Sequence, residues 1–267
     1  MGDQNNETPR LVSAWMEDFA KLYSESDRGR TPEEFWIATM AHCSIIGESI
    51  RKVDYPGLMK AAAHTFCWMC CYVYHCNNTE DLLFRCMHNL CDVVFFKFPL
   101  VCGHCHGTPC KCDPFKIDRI PDKATDYKWL LHQWKANRKS EGHSIQEWLD
   151  NFKEIYGGRI HLQTLESIGF HFLEEAGEEA MAVRQLVQMR GVLNRVKGLD
   201  KAFLEKISSI EGLVEEYQTC PKDEEGKLKI NMKSKNLVDV KTRLVKAKMD
   251  FVIELADTFS WFPSVSM

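Results

Sequence analysis

The sequence predicts an all-α protein. Apolar residues recur at spacings of three and four in several long segments, whereas the alternating pattern of β-strands is weak throughout. Capping boxes mark two helix starts, since Thr31 precedes Pro32 and Glu34, and Ser144 precedes Glu147. The segments predicted to be helical are, in order, 10–25, 32–53, 57–76, 80–98, 124–138, 144–156, 160–196, 199–218 and 235–262.

Glycines and one charged stretch separate the later helices. Gly157-Gly158 and Gly198 are expected to end helices, because glycine is common just beyond a helix C-terminus. The stretch 220–234, CPKDEEGKLKINMKS, is charged and is predicted to be a loop that could include a short hairpin.

Two pairs of carboxylates near the C-terminus carry the main chemical signal. Glu175 and Glu178 lie in FHFLEEAGEEAMAV, and Glu254 and Asp257 lie in FVIELADTFSWF. Residues three apart share a helix face, so packing these helices together would gather four carboxylates in one cleft that needs a cation. Oxygen-only ligands favour Mg²⁺ or Mn²⁺, and such an ion commonly holds a phosphate chain for attack by water. Acidic pairs also occur on solvated helix faces, to which Glu179 is assigned.

The arrangement E-E-x-x-E followed by E-x-x-D resembles the signature of the MazG-like nucleoside triphosphate pyrophosphohydrolases, over roughly residues 144–262. The resemblance implies an all-α, Mg²⁺-dependent enzyme that splits a nucleoside triphosphate into monophosphate and pyrophosphate. The metal ligands that it implies are Glu175, Glu178, Glu254 and Asp257. It further implies that Glu174 is an additional ligand or a group that positions water.

The chain departs from this family in the connection between the two motifs. The family usually has a short connection, whereas 75 residues lie between Glu178 and Glu254. We interpret 199–234 as an inserted segment, which leaves the substrate class and the oligomeric arrangement open. A homo-oligomer, most simply a dimer, is expected.

Further candidates for substrate binding lie on the same predicted helices. Lys246 and Asp250 precede Glu254 and Asp257 at steps of four, four and three, so all four lie on one helix face. Lys246 could reach a phosphate held by the metal, Asp250 could support the site, and Arg184 is a weaker phosphate candidate. An ordinary salt-bridged face is the alternative.

An internal repeat suggests two related helical units. The paired ranges are 15–23 (WMEDFAKLY) with 148–156 (WLDNFKEIY), 46–48 with 176–178, and 88–99 with 253–263. The repeat predicts that residues 1–99 form a diverged MazG-like unit and 124–267 the catalytic unit, joined by 100–123. The alternative is a chance likeness between amphipathic helices.

The N-terminal copy has lost half of the carboxylates. Glu48 and Asp92 keep the acidic character of their counterparts, but Ile45 and Asn89 do not. We therefore expect this copy to bind metal poorly and to serve as a structural half that completes a pseudo-dimer.

The joining segment is rich in cysteine. Residues 102–112, CGHCHGTPCKC, hold four cysteines and two histidines, and a CxxC turn aims two thiolates at one ion. The residues predicted to bind a structural Zn²⁺ are Cys102, Cys105, Cys110 and Cys112. His104 or His106 could replace one thiolate, and an iron–sulfur cluster or a redox-active thiol group are the rivals.

Composition excludes several classes of protein. A net charge of −4 gives no sign of a general nucleic-acid-binding surface, and no stretch approaches the ~20 apolar residues that span a membrane. The polar start, MGDQNNETPR, is unlike a signal peptide, so a cytoplasmic protein is expected. No GxxxxGK[ST] phosphate loop is present. The alternatives to an enzyme are a zinc-containing scaffold and a nucleotide sensor that turns over slowly.

Overall fold

A computed structural model of the protein describes residues 9–85, 90–102, 105–112, 126–137, 139, 142–160, 164–194, 199–224, 226–232, 234 and 236–266. Within these residues every regular element is a helix, which confirms the all-α prediction. The helices are α1 (Val12–Tyr23), α2 (Pro32–Lys52), α3 (Tyr55–Asn78), α4 (Leu90–Lys97), α5 (Tyr127–Asn137), α6 (Ile145–Ile160), α7 (Leu165–Leu193), α8 (Lys201–Lys206), α9 (Ile210–Thr219) and α10 (Leu237–Ser266).

Both predicted capping boxes are confirmed. The Thr31 hydroxyl accepts from the Glu34 backbone N–H, and the Glu34 carboxylate accepts from the Thr31 N–H at 2.7 Å. The same exchange links Ser144 and Glu147 at the start of α6, where the Ser144 N–H donates to Glu147 over 2.8 Å. These contacts satisfy backbone groups that would otherwise be unpaired in the first helical turn.

Several helix boundaries differ from the prediction. The expected end at Gly157-Gly158 is wrong, because α6 continues to Ile160; a glycine inside a helix costs only about 1 kcal/mol. The segment 199–218 is two helices, since the Ser209 hydroxyl caps a new start by accepting from the Gly212 N–H. Segment 80–98 is helical only from Leu90 onward among its described residues. Gly198 lies outside the described residues.

The predicted loop at 220–234 contains a short turn. Lys222 and Leu228 form an isolated antiparallel bridge. Gly226, between them, has a φ of +80°, a left-handed conformation that glycine adopts without a steric penalty. This connection leads into α10.

Two helical hairpins form the centre of the molecule. α7 packs along α10, and α2 packs along α3. α2 also packs against α7, and this contact is close because Gly47 faces the Leu173 side chain and Gly169 faces that of Ile50. α1 lies on α3, whereas α4 and α6 lie on α10. One continuous apolar core joins these helices, and it includes Trp148.

None of the described helices is both long enough and apolar enough to span a lipid bilayer.

A buried lysine links α10 to the turn that follows α3. Lys248 is completely buried, and its ammonium donates to the backbone carbonyls of Leu82 and Arg85, each over 2.8 Å. Removing this donor would leave two carbonyl groups without that partner inside the protein.

We therefore expect Lys248→Met to lower the free energy of unfolding by about 2 kcal/mol. Urea denaturation followed by circular dichroism measures this change. Lys229→Met, at an exposed lysine, is the matched control and should leave the unfolding midpoint unchanged. Equal stability of the Lys248 variant and the wild type would contradict the expectation.

Candidate metal centres

Three carboxylates from two helices meet in the C-terminal half. Glu175 on α7, and Glu254 and Asp257 on α10, each offer an oxygen within 4.8 Å of the other two. All three side chains are partly buried. Oxygens bound to one Mg²⁺ at about 2.1 Å lie roughly 3–4 Å apart, so small rotations of these side chains could enclose such an ion.

Lys97 supplies a cation to this group from the N-terminal half of the chain. It is the last residue of α4, and its ammonium forms an ion pair with the Asp257 carboxylate. Desolvation lowers the pKa of Lys97 to about 8, although the neighbouring carboxylates favour its charged form. The acidic group is therefore partly neutralised by a residue that is 160 positions away from Asp257 in the sequence.

The pKa of Glu254 is strongly shifted from its ordinary value. Burial raises its pKa to about 7, Lys97 opposes this shift, and the charges of Glu178 and Glu175 add to it. A carboxyl group that holds a proton near neutral pH is typical of sites where a cation or a reacting group is bound.

Glu178 and Glu174 differ in their relation to this group. Glu178 is exposed and lies outside the three-carboxylate set, but it is near enough to Glu254 to help raise the pKa of that carboxyl group. The Glu174 side chain is 65% exposed and lies 3.4 Å from the ring of His171. The four carboxylates predicted as ligands are thus close neighbours, with Glu178 at the edge, and Glu174 faces solvent.

The assignment of Glu179 to a solvated face is wrong. Its side chain is completely buried. Burial raises the pKa of Glu179 far above its ordinary value, the charge of Glu254 adds to this, and the Tyr72 hydroxyl opposes it. A signal for this burial is present in the sequence, since residue 179 continues the apolar stripe of Phe172 and Ala176 at helical spacing.

Two of the three predicted substrate-binding residues, Lys246 and Asp250, pair with each other. Lys246 forms an ion pair with Asp250 one turn further along α10. Burial raises the pKa of Asp250, and Lys246 opposes this shift. Burial raises the pKa of the Tyr217 phenol on α9, and the charge of Asp250 adds to this shift. Arg184 is exposed on α7.

The four cysteines of the joining segment form a second centre. Their sulfur atoms all lie within 4.8 Å of one another, so the group could bind a metal ion such as zinc. The Sγ atom of Cys102 is 3.3 Å from that of Cys110 and 3.8 Å from that of Cys112, and Cys105 lies 3.9 Å from Cys110. Four thiolates that surround one zinc at about 2.3 Å are about 3.8 Å apart in a tetrahedron.

A backbone hydrogen bond and a pair of stacked rings hold the cysteine segment in place. The Cys110 N–H donates to the Ile155 carbonyl of α6 over 2.7 Å, and the His106 ring stacks on Trp129 of α5 with 3.6 Å between ring centroids. His106 is therefore engaged outside the four-thiol group, whereas His104 lies outside the described residues. The cysteine segment therefore contacts both α5 and α6.

The thiols differ in acidity although they are neighbours. Burial acts to raise the pKa of Cys105, but hydrogen bonds from the backbone N–H groups of Lys111 and Gly107 outweigh it and lower the pKa to about 6. Burial raises the pKa of Cys112. An exposed thiol that ionises near neutral pH is a ready first ligand for a cation.

Comparisons with protein-family models, with curated proteins and with solved structures found no match to this chain.

Proposed function

We propose that the protein is a Mg²⁺-dependent nucleoside triphosphate pyrophosphohydrolase whose active site is the carboxylate group of α7 and α10. The observation that carries this proposal is the convergence of Glu175, Glu254 and Asp257 within 4.8 Å, with Glu178 beside them. Like charges gather in a partly buried place at a cost in free energy, and a divalent cation removes that cost. The residue pattern that resembles MazG-like enzymes supports the choice of reaction.

The residues present fit a hard divalent cation. Only oxygen donors form the group, which favours Mg²⁺ or Mn²⁺ over zinc. Glu175, Glu254 and Asp257 would hold the ion, with Glu178 at its edge. When bound, Mg²⁺ supplies charge neutralisation for a triphosphate and lowers the pKa of water.

The protein's own groups orient the reactants. Glu178, exposed beside Glu254, could accept a proton from the attacking water. This role suits Glu178 better than Glu174, because Glu178 acts on the pKa of Glu254 whereas Glu174 lies beside His171. The Lys97 ammonium could turn from Asp257 to a phosphate oxygen once a metal binds Asp257. Attack at the α-phosphorus, which releases pyrophosphate, follows from the family resemblance alone.

The four-cysteine group is proposed to hold one structural Zn²⁺. The sulfur separations of 3.3–3.9 Å match a single tetrahedral ion. Iron–sulfur clusters place several irons and sulfides between their thiolates and need a wider cage, which disfavours the chief alternative. With all four positions filled by thiolates, such a zinc would be structural rather than catalytic.

Pyrophosphate release tests the proposed activity. The purified, zinc-loaded protein would be incubated with ribo- and deoxynucleoside triphosphates in Mg²⁺ or Mn²⁺, and products separated by anion exchange. We expect monophosphate and pyrophosphate in equal amounts from at least one nucleotide, and none in EDTA. Release of orthophosphate instead of pyrophosphate would contradict the proposed position of attack.

The ion pair of Lys97 with Asp257 favours a second candidate, a nucleotide sensor that turns over slowly. A lysine bound to one proposed ligand could compete with the catalytic cation. Tight nucleotide binding with negligible pyrophosphate release from the folded protein would favour the sensor over the enzyme.

Cation binding is expected to be weaker at pH 6 than at pH 8, by about tenfold, because protons compete for Glu254, whose pKa is raised to about 7. Calorimetric titration with Mn²⁺ at both pH values measures this difference in affinity. Equal affinities would contradict this assignment of Glu254.

The raised pKa of Glu254 also affects the stability of the metal-free protein. The free energy of unfolding should fall as pH rises from 4.5 to 7, because the folded state keeps a proton that the unfolded chain releases.

A further inference from the structure

A groove between α2 and α3 lies in the N-terminal half, away from both centres described above. We call it the N-terminal groove, and the charged residues and histidines that line it are His42, Glu48, Lys52, Asp54, Lys60 and His64. Its volume is about 390 Å³, within the range of roughly 300–1,000 Å³ that small-molecule sites occupy. Ile45 and Ala61 provide apolar wall between the polar groups.

The groove lies in a hairpin whose first helix contains the residues paired with the acidic motif of α7. α2 packs along α3, as α7 packs along α10. At the offset of 130 residues between α2 and α7, Ile45 falls at the position of Glu175 and Glu48 at that of Glu178. On the other side of the groove, α3 contributes Lys60 and His64.

The two carboxylates of the groove already have partners. Glu48 forms an ion pair with Lys52 at 2.5 Å, and Asp54 accepts a hydrogen bond from the Gly57 N–H at 3.0 Å, which caps α3. Lys60 forms no ion pair with any of the described residues. One cation of the groove is therefore available to a ligand, and no carboxylate lacks a partner.

Two histidines stand beside this lysine. The rings of His42 and His64 meet edge to face with centroids 5.4 Å apart, and His42 also stacks on Trp68, which holds its orientation. The Nδ1 atom of His42 is buried and makes no hydrogen bond with the described part of the chain. Burial, then the neighbouring His64, lowers the pKa of His42, so a neutral ring can offer one N–H donor.

We propose that the N-terminal groove binds a small phosphate-bearing ligand without a divalent metal, through Lys60, His64 and His42. In the C-terminal hairpin, carboxylates would need a cation to approach a phosphate chain, whereas here the protein itself supplies the positive charge and the N–H donors. The ligand is a phosphate chain, either free or carried by a nucleotide, and the groove would act as a second site that senses it.

The test is calorimetric titration in EDTA with inorganic phosphate, pyrophosphate and ATP. All proteins carry Glu175→Gln, so that the proposed catalytic site does not contribute. The variant is Lys60→Met/His64→Asn, and the matched control is Lys128→Met/His132→Asn, which makes the same two changes at exposed positions of α5. Circular dichroism checks that each protein is folded.

We expect pyrophosphate or ATP to bind the parent protein and to bind the groove variant at least about tenfold more weakly, with the control unchanged. Similar affinities for pyrophosphate and ATP would assign the groove to the phosphate chain, and binding of ATP alone would assign it to a nucleotide. The proposal is overturned if none of the three ligands binds, or if the groove variant and the control bind alike.

Discussion

Glu175→Gln should reduce pyrophosphate release by about 10²–10³-fold while the protein stays folded. The variant removes one of the three oxygen ligands proposed for the metal, and a bound metal contributes several kcal/mol of charge stabilisation to a transition state. The same change removes a negative charge that helps to raise the pKa of Glu254. The metal-free variant should therefore melt at the same temperature as the wild type or higher.

This opposite response of activity and stability is what separates a functional carboxylate from a structural one. Steady-state pyrophosphate release and thermal denaturation in EDTA measure the two effects on the same preparation. Glu154→Gln, an identical change at an exposed position of α6, is the control and should retain full activity. Full turnover by the Glu175 variant would remove Glu175 from the site.

Cys102→Ser should abolish zinc binding and lower the melting temperature by about 10 °C. Structural zinc sites contribute many kcal/mol to folding, and a loss of 1 kcal/mol shifts the midpoint of a protein of this size by about 2–4 °C. The expected loss is large because the cysteine segment contacts α5 through His106 and α6 through the Cys110 N–H. Removing the metal from the wild type with a chelator should have the same effect.

Metal content by atomic emission, at one zinc per chain, provides the reference value. Cys220→Ser is the control, since Cys220 is partly buried but lies outside the four-thiol group. It should keep its zinc and lose little stability. One zinc per chain in the Cys102 variant, or iron in the wild type, would contradict the assignment.

Local features were predictable from spacing. The capping boxes at Thr31 and Ser144 depend on residues three apart, and the helical periods that surround them need no knowledge of distant contacts. The same holds for the two halves of the acidic group, because Glu254 and Asp257 share a face of any helix that contains both. The CxxC spacing of the cysteine segment is a similarly local signal.

Three charged residues show where spacing fails. Lys97 lies in an apolar run, yet it pairs with Asp257 of α10. Glu179 is adjacent to an exposed glutamate, yet it is completely buried. Lys248 lies in an ordinary helical stretch of the sequence, yet its ammonium donates to two backbone carbonyls beyond α3.

The sequence by itself determined that the protein is helical, where most of its helices begin, and which carboxylates and thiols can share a face or a turn. The tertiary structure alone decided that α7 and α10 bring Glu175 to Asp257, that α4 adds a lysine to them, and that α2 and α3 form a groove lined by Lys60 and two histidines. The reason is physical: helix formation and capping depend on residues within about four positions, whereas the burial and charge of a side chain depend on which helix faces pack together.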